Sequence, residues 1–224
     1  MLNVAVRKKL LVANPCSGVE FPVTIKGQFR PHYVTWSEQQ RLESHAPQHL
    51  RNVVQIITES GLRVYKELAP MKKDQVDPWN AVVWIPDSKT PNGIGEVPLT
   101  PLAIEALRRQ IAFTGPGPFL LPSDKNGKGH QVSFKTAWEK TLRRAKIPYF
   151  RIYDLRSTYA TRLSAGGVAD EWVTQMLRQG DAQVFKKYSQ MKLQMKREAL
   201  EKINRQANEM PVSTAAGLCT VAVQ

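Results

Sequence analysis

The sequence predicts an α+β fold, mostly helical, with one small antiparallel sheet, and three observations predict it. Apolar residues recur at helical spacing in several separate stretches, each bounded by capping residues or by Gly and Pro. Two short stretches rich in Val, Ile and Trp flank a loop that carries Pro91, Asn92, Gly93 and Gly95. No stretch repeats at a fixed period, which excludes solenoids and propellers.

Taken in order, residues 1–13 read as the end of a helix, with Leu2, Val4, Ala5, Leu10 and Leu11 apolar. Asn14-Pro15 stops it, because proline disfavours the helical region for the residue before it. Residues 16–32 carry Gly18, Pro22, Gly27 and Pro31 and read as an extended linker. A helix that runs at once into a linker leads us to expect a further domain ahead of it. Thr35 with Glu38 three residues on is a capping-box pattern, opening a helix through Ser44. Leu50, Val53, Val54 and Ile57 predict a second, buried helix that reaches Gly61, and a short helix over residues 63–71 follows.

Residues 81–85 and 96–99 read as strands joined by the loop 87–95. Thr100-Pro101 is an N-cap followed by proline in the first turn, opening a helix with Leu102, Ala106, Leu107 and Ile111 on one side. Gly115 to Pro118 breaks it. Residues 133–146 are helical again, with Phe134, Ala137, Trp138 and Leu142 inward and Arg143, Arg144 and Lys146 at the basic end. Asp154 is expected to cap the next helix, which stops at Gly166-Gly167. Further helices are predicted over 172–177, 184–188 and 192–208, and residues 211–224 read as a disordered tail or docking segment.

The charge balance narrows the partners. Lys+Arg number 32 against 19 Asp+Glu, a formal net charge of +13. Such an excess favours a polyanion, since each phosphate neutralised by Lys or Arg releases condensed counterions. An anionic membrane is the weaker candidate: no apolar run approaches the roughly 20 residues that span a bilayer, and no lipidation box closes the chain. The basic N-terminal stretch lacks a signal peptide's cleavage site. Cys16 and Cys219 are far apart, and the four histidines are scattered, so neither a disulfide framework nor a metal site is expected. A reducing cytoplasm is the expected compartment, with no cofactor and no metal.

Breaking a nucleic-acid backbone without a metal needs a nucleophile, cationic donors for the phosphate oxygens and an acid for the leaving oxygen. Arginine suits the donor role because its planar fork pairs bidentately with phosphate and stays charged. Arg63 follows Gly61-Leu62 at an expected helix start, where free N–H groups also favour an anion. Arg156 lies in the first turn of the helix that Asp154 is expected to cap, Lys89 sits in the Gly/Pro-rich turn, and Tyr188 comes late in the chain. Taken singly, each has a plainer reading: a solvated arginine, an ion pair with Asp154 or another neighbour, a solubilising lysine, a core tyrosine.

Their order is more specific. Gly61-Leu62-Arg63, Ser88-Lys89-Thr90, Tyr153-Asp154-Leu155-Arg156, Leu177-Arg178-Gln179 and Tyr188 follow one another as do the boxes of the tyrosine recombinase, or phage integrase, family. The resemblance covers about residues 33–208, and it implies that family's catalytic-domain fold. By that resemblance Arg63 and Arg156 clamp the scissile phosphate, Lys89 protonates the leaving 5′ oxygen, and Tyr188 attacks to form a 3′-phosphotyrosyl link. Neither ATP nor metal is implied, nor a small-molecule substrate. The implied partner is double-stranded DNA, engaged by a homo-tetramer on paired sites. Residues 1–32 would be the last helix of a core-binding domain plus a linker, 33–210 the catalytic domain and 211–224 the tail.

The sequence also departs from the family pattern. Tyr153 stands where histidine is usual, and a phenol is a poor base near neutral pH. Gln179 replaces a histidine or tryptophan and brings no charge, while Arg178 replaces glycine and could restore some. Lys66 occupies the place of an acidic residue one turn after Arg63, and Glu67 is expected to lie about 100° too far around a helix to replace it. These departures predict an active but slower site. Two other readings compete: a DNA-binding remnant that no longer cleaves, which charge and fold do not separate from the first, and a relaxing enzyme like the type IB topoisomerases, which uses related chemistry. A covalent adduct at Tyr188 separates the remnant from the others.

Overall fold

The computed structural model describes residues 2–17, 31–87, 93–178 and 193–206 of the chain. The chain divides into two compact units, Met1–Arg30 and Pro31–Gln224. In the first, helix α1 spans only Leu2–Arg7, shorter than the expected 1–13. Lys9 takes a left-handed φ of 57°, and Leu10 N–H donates to the Ala5 carbonyl while Lys9 N–H donates to Val6. This is a Schellman-type stop, which ends the helix well before Pro15 is reached.

The second unit begins with the expected capping box. Glu38 N–H donates to Thr35 Oγ1 and Thr35 N–H to Glu38 Oε2, opening α2 (Trp36–His45). Helix α3 (Gln48–Ser60) lies at the centre, and even its polar Asn52, Thr58, Glu59 and Ser60 are buried. Each has a partner: Asn52 donates to Gln110, Thr58 and Ser60 to carbonyls one turn back, and Glu59 accepts from Thr100 and Arg205. Gly61 ends the helix at φ 64°.

The sheet has three antiparallel strands in the order β1 (Val76–Asp77), β2 (Val82–Ile85) and β3 (Gly95–Pro98), with Val83 opposite both Val76 and Val97. Strand β1 went unpredicted because two residues carry no alternating pattern. Asp77 builds the β1–β2 turn by accepting from the backbones of Trp79 and Asn80. Helix α4 (Pro101–Thr114) starts as expected, with Thr100 Oγ1 accepting from Ala103 N–H, and packs along α3. Helix α5 (Lys135–Arg144) follows, and Trp138 donates its indole N–H to the Phe150 carbonyl at 2.7 Å.

Helix α6 (Asp154–Ala165) begins one residue earlier than expected. Tyr153 is the capping position, with no side-chain bond, while the buried Asp154 carboxylate sits inside the first turn and accepts from Arg151 at 3.0 Å. The plainer reading of Arg156 as an ion pair with Asp154 is not what forms: Asp154 pairs with Arg151. Val34 N–H donates to Thr158, and the Arg162 guanidinium lies over the Trp36 ring, so α6 is tied to the start of the unit. Helices α7 (Asp170–Met176) and α8 (Leu193–Glu201) complete the described elements; α8 is shorter than the expected 192–208. The helix expected over 184–188 and the tail from 211 lie outside the described residues.

Two apolar clusters hold this unit. The larger joins α2 to α5 and the sheet; the smaller joins Tyr159, Leu163, Val173, Met176 and Leu177 to Ala199, Leu200 and Ile203. No helix among the described residues is long and apolar enough to cross a membrane. Tyr159 meets the larger cluster at Gly61, where an added Cβ would lie 2.5 Å from its ring. Gly61→Ala should therefore lower stability by about 3 kcal/mol, from overpacking and from the left-handed backbone together. The check is the urea midpoint, and a variant as stable as the wild type would show that Tyr159 can step aside.

Candidate active site

Arg63 does not lie on an α-helix. It is the extended residue (φ −75°, ψ 116°) before a π-helical turn, Val64–Leu68, where an α-helical 63–71 was expected. A π-turn takes one more residue per turn than an α-helix, closing i to i+5. The bonds from Leu68 N–H to Arg63 and from Ala69 N–H to Val64 are of this kind. Four residues on, Glu67 and not Lys66 meets Arg63, which corrects the expectation that Glu67 lies too far around the helix to stand in for an acid at position 66. Glu67 Oε2 accepts the Arg63 backbone N–H at 2.8 Å, and Oε1 accepts from Arg63 Nη1. The N–H that was expected to greet an outside anion is thus taken by an internal carboxylate. Lys66 turns away to pair with Asp87 at 2.5 Å.

Glu67 has a second cationic partner. Arg178 Nη2 donates to Glu67 Oε2 at 2.6 Å, and both side chains are buried. Burial alone would push the Glu67 carboxyl up, but the Arg178 charge, the Arg63 N–H and the Arg63 guanidinium outweigh it and hold it below its ordinary range.

Arg156 reaches the same place from α6. Its Nη1 donates to the Gly61 carbonyl and its Nη2 to the Leu177 carbonyl. Arg63 Nη2 donates to the next carbonyl along, that of Arg178, at 3.1 Å. Consecutive peptide carbonyls thus hold both arginines that the sequence singled out. Burial, and then the Arg63 and Arg178 charges, push the Arg156 guanidinium down to about 10, so it stays charged at neutral pH. Its Nε, like that of Arg178, has no hydrogen-bond partner among the described residues. Three guanidiniums face one carboxylate, an arrangement whose field favours an anion.

Tyr153 caps the same helix with its phenol half-exposed and its carbonyl accepting the Arg156 N–H. It lines a cleft of about 420 Å³ with Tyr65, Arg151 and Tyr149; Tyr65 and Glu67 also help line a second cleft of about 630 Å³. Of the six residues predicted for the site, the structure brings Arg63 and Arg156 together with Tyr153 beside them; Lys89, Gln179 and Tyr188 lie outside the described residues. Sequence reasoning missed Glu67, and its only signal was an acidic residue one position later than expected. Among the described residues no group of three His, Cys, Asp or Glu is placed to hold a metal.

Comparison with known proteins bears on the family and the fold. The model of the phage integrase family matches residues 34–208. The integrase of Salmonella phage P22 is 32% identical over 142 residues, which cover 58% of this chain and 36% of that protein. Among solved structures, the integrase from mycobacterium phage Brujita superposes with a TM-score of 0.64 at 20% identity, covering 91% of this chain and 68% of its own. XerA recombinase gives 0.59 at 19%, covering 81% and 66%. A Tn1549 transposon integrase in complex with a circular intermediate DNA gives 0.62 at 16%, covering 89% and 74%. These likenesses establish the fold, that of a tyrosine recombinase catalytic domain with its small antiparallel sheet. The chain spans about a third of the P22 integrase.

The depressed Glu67 carboxyl makes a prediction with a definite sign. Its stabilisation is fully present above the unfolded-state value, near 4.5, and is lost as pH falls through the lower folded value. Stability measured by denaturant titration should drop on acidification through that window. Glu67→Gln should lower stability near neutral pH and flatten the acid limb; an unchanged acid limb would mean that the carboxylate is not held ionised.

Proposed function

Because this chain belongs to the phage integrase family, we propose that it cuts and rejoins double-stranded DNA as a tyrosine-type strand transferase. The observation that carries this reading is the convergence of Arg63 and Arg156 on the consecutive carbonyls of Leu177 and Arg178. Guanidiniums fixed in advance can stabilise the charge that builds on a pentacovalent phosphate without reorganising as it forms.

In the proposed reaction the Tyr188 phenolic oxygen attacks phosphorus, and its proton leaves to solvent or a nearby base. The bond from phosphorus to the 5′ oxygen breaks, and Lys89 gives that oxygen a proton. The products are a 3′-phosphotyrosyl link and a free 5′ hydroxyl. A 5′ hydroxyl from a second strand reverses the step, so the phosphodiester is conserved and neither ATP nor metal is required. Tyr153 would donate a hydrogen bond to a phosphate oxygen or a neighbour but would be a poor base, and Gln179 would contribute one neutral hydrogen bond. Both departures point to a slower site than one with two histidines.

Residues 33–210 would form the catalytic domain, and residues 1–32 the end of a core-binding domain and its linker. A lambda integrase is described as a dimer bound to a core site, and the Tn1549 integrase as a complex with DNA. By analogy we propose that this chain works on DNA as a homo-oligomer, a tetramer on paired sites, in the cytoplasm. The excess of Lys and Arg is consistent with a phosphate-tracking surface.

The test is trapping on a nicked suicide duplex. The wild type should give an adduct that survives SDS, and Tyr188→Phe should give none. Salt-sensitive DNA binding without an adduct would favour a remnant that no longer cleaves. Lys89→Ala should slow cleavage by about a hundredfold. A 5′-bridging sulfur at the scissile position, which leaves without a proton, should restore most of that loss; a defect untouched by sulfur would remove Lys89 from the acid role.

A further inference from the structure

We propose that Arg178 is the positioning residue of this anion site. Its guanidinium fixes the Glu67 carboxylate, and its left-handed backbone aims two carbonyls at Arg63 and Arg156. The inference rests on the strand-transfer reading above and assigns a role to a residue outside the expected catalytic set.

Three observations carry it. The Arg178 side chain is 6% exposed and the Glu67 side chain 0%, so their 2.6 Å pair is a buried one rather than a solvated contact. Its Nη1 donates to the Met176 carbonyl at 3.4 Å, so the fork is turned into the protein and acts through Glu67. Arg178 also stands at φ 54°, a left-handed conformation that costs an ordinary side chain about 1 kcal/mol and that glycine adopts freely. That conformation follows directly on α7 and presents the Leu177 carbonyl to Arg156 and the Arg178 carbonyl to Arg63. The residue that follows, Gln179, brings no charge of its own.

The chain of contacts then runs in one direction. Arg178 holds Glu67; Glu67 holds Arg63 by its guanidinium and its backbone N–H; the Leu177 and Arg178 carbonyls complete the hold on both arginines. The charged and titratable groups facing Glu67 and Arg178 are Arg63 just ahead of the π-turn, Arg156 and Tyr159 on α6, and Lys196 on α8, whose own neighbour is Glu96 on β3. With Arg178 gone, the buried Glu67 keeps Arg63 but loses its largest favourable charge, and its carboxyl takes up a proton at higher pH.

The experiment is single-turnover adduct formation on the nicked suicide duplex across about pH 5 to 8. It compares the wild type with Arg178→Gly, Arg178→Gln and Arg178→Gln/Glu67→Gln. Glycine suits the backbone; glutamine keeps the buried volume should glycine leave the chain unfolded. Either single variant should react about a hundredfold more slowly, as expected for a clamp displaced by an ångström. Duplex affinity should change by less than about fivefold, a loss of transition-state rather than ground-state contacts. Both should gain an acid limb, the rate falling as pH drops because only the ionised Glu67 holds Arg63. The double variant should lose that limb. Folded variants that react at the wild-type rate overturn the inference. So does a uniform loss at every pH, which would give Arg178 a packing role alone. A wild type that forms no adduct instead removes the strand-transfer reading on which the inference stands.

Discussion

The Glu67 carboxylate, buried between two guanidiniums, is the constraint around which this anion site is arranged. An ionised carboxylate out of water is tolerable only when cations face it and donors fill its lone pairs. Here Arg63 supplies a guanidinium and a backbone N–H, and Arg178 supplies the second guanidinium. Withdrawing any of the three would leave a buried charge short of a partner, so they hold together as a set. Glu67 lies four residues after Arg63, the spacing at which helical side chains meet, and its own N–H donates to the Arg63 carbonyl at 2.9 Å.

Within the site, two ways of holding an arginine are at work, and they leave different amounts of charge for a ligand. Arg156 is oriented by the neutral carbonyls of Gly61 and Leu177, which accept its hydrogen bonds without cancelling its charge. Arg63 is oriented by a carboxylate and a carbonyl together, so part of its field is spent internally. Arg151 contributes to this difference by taking the Asp154 carboxylate, which would otherwise be the nearest acid in the same helical turn as Arg156. Gly61 has a part in both halves: its left-handed backbone ends α3, and its carbonyl accepts from Arg156. Tyr159 closes over it, leaving no room for a side chain.

How far the sequence could be read follows from how local each determinant is. The Thr35–Glu38 capping box, the Thr100-Pro101 start and the Gly61 stop each depend on a few neighbouring residues, and each is found where it was expected. Strand β1 is too short to carry a period and exists because β2 accepts it. Helix α1 ends at a non-glycine left-handed residue, Lys9, which residue type alone does not announce. Asp154 looks like an N-cap by type, but its partner Arg151 draws it into the first turn. In the site, Arg63 and Arg156 were legible through the order of their boxes. Glu67 was set aside because its angle was reckoned from position 66; reckoned from Arg63 it lies four residues on, within reach at 3.6 residues per turn.

The left-handed turn at Arg178 stands at a junction in the chain. It closes the anion site, and it is also the last described residue before the stretch 179–192 in which Tyr188 lies. Beyond that stretch the chain is fixed again by different means. Arg205 makes two hydrogen bonds to the buried Glu59, Asn204 N–H donates to the Arg162 carbonyl, and Ala199, Leu200 and Ile203 fill the smaller apolar cluster. Gly166 meets the Lys202 carbonyl so closely that a Cβ there would lie 1.5 Å from its oxygen. One end of the stretch is thus set by an ion cluster and the other by packing and a separate ion pair. Any change that shifts the Arg178 turn must move the carbonyls that hold Arg63 and Arg156.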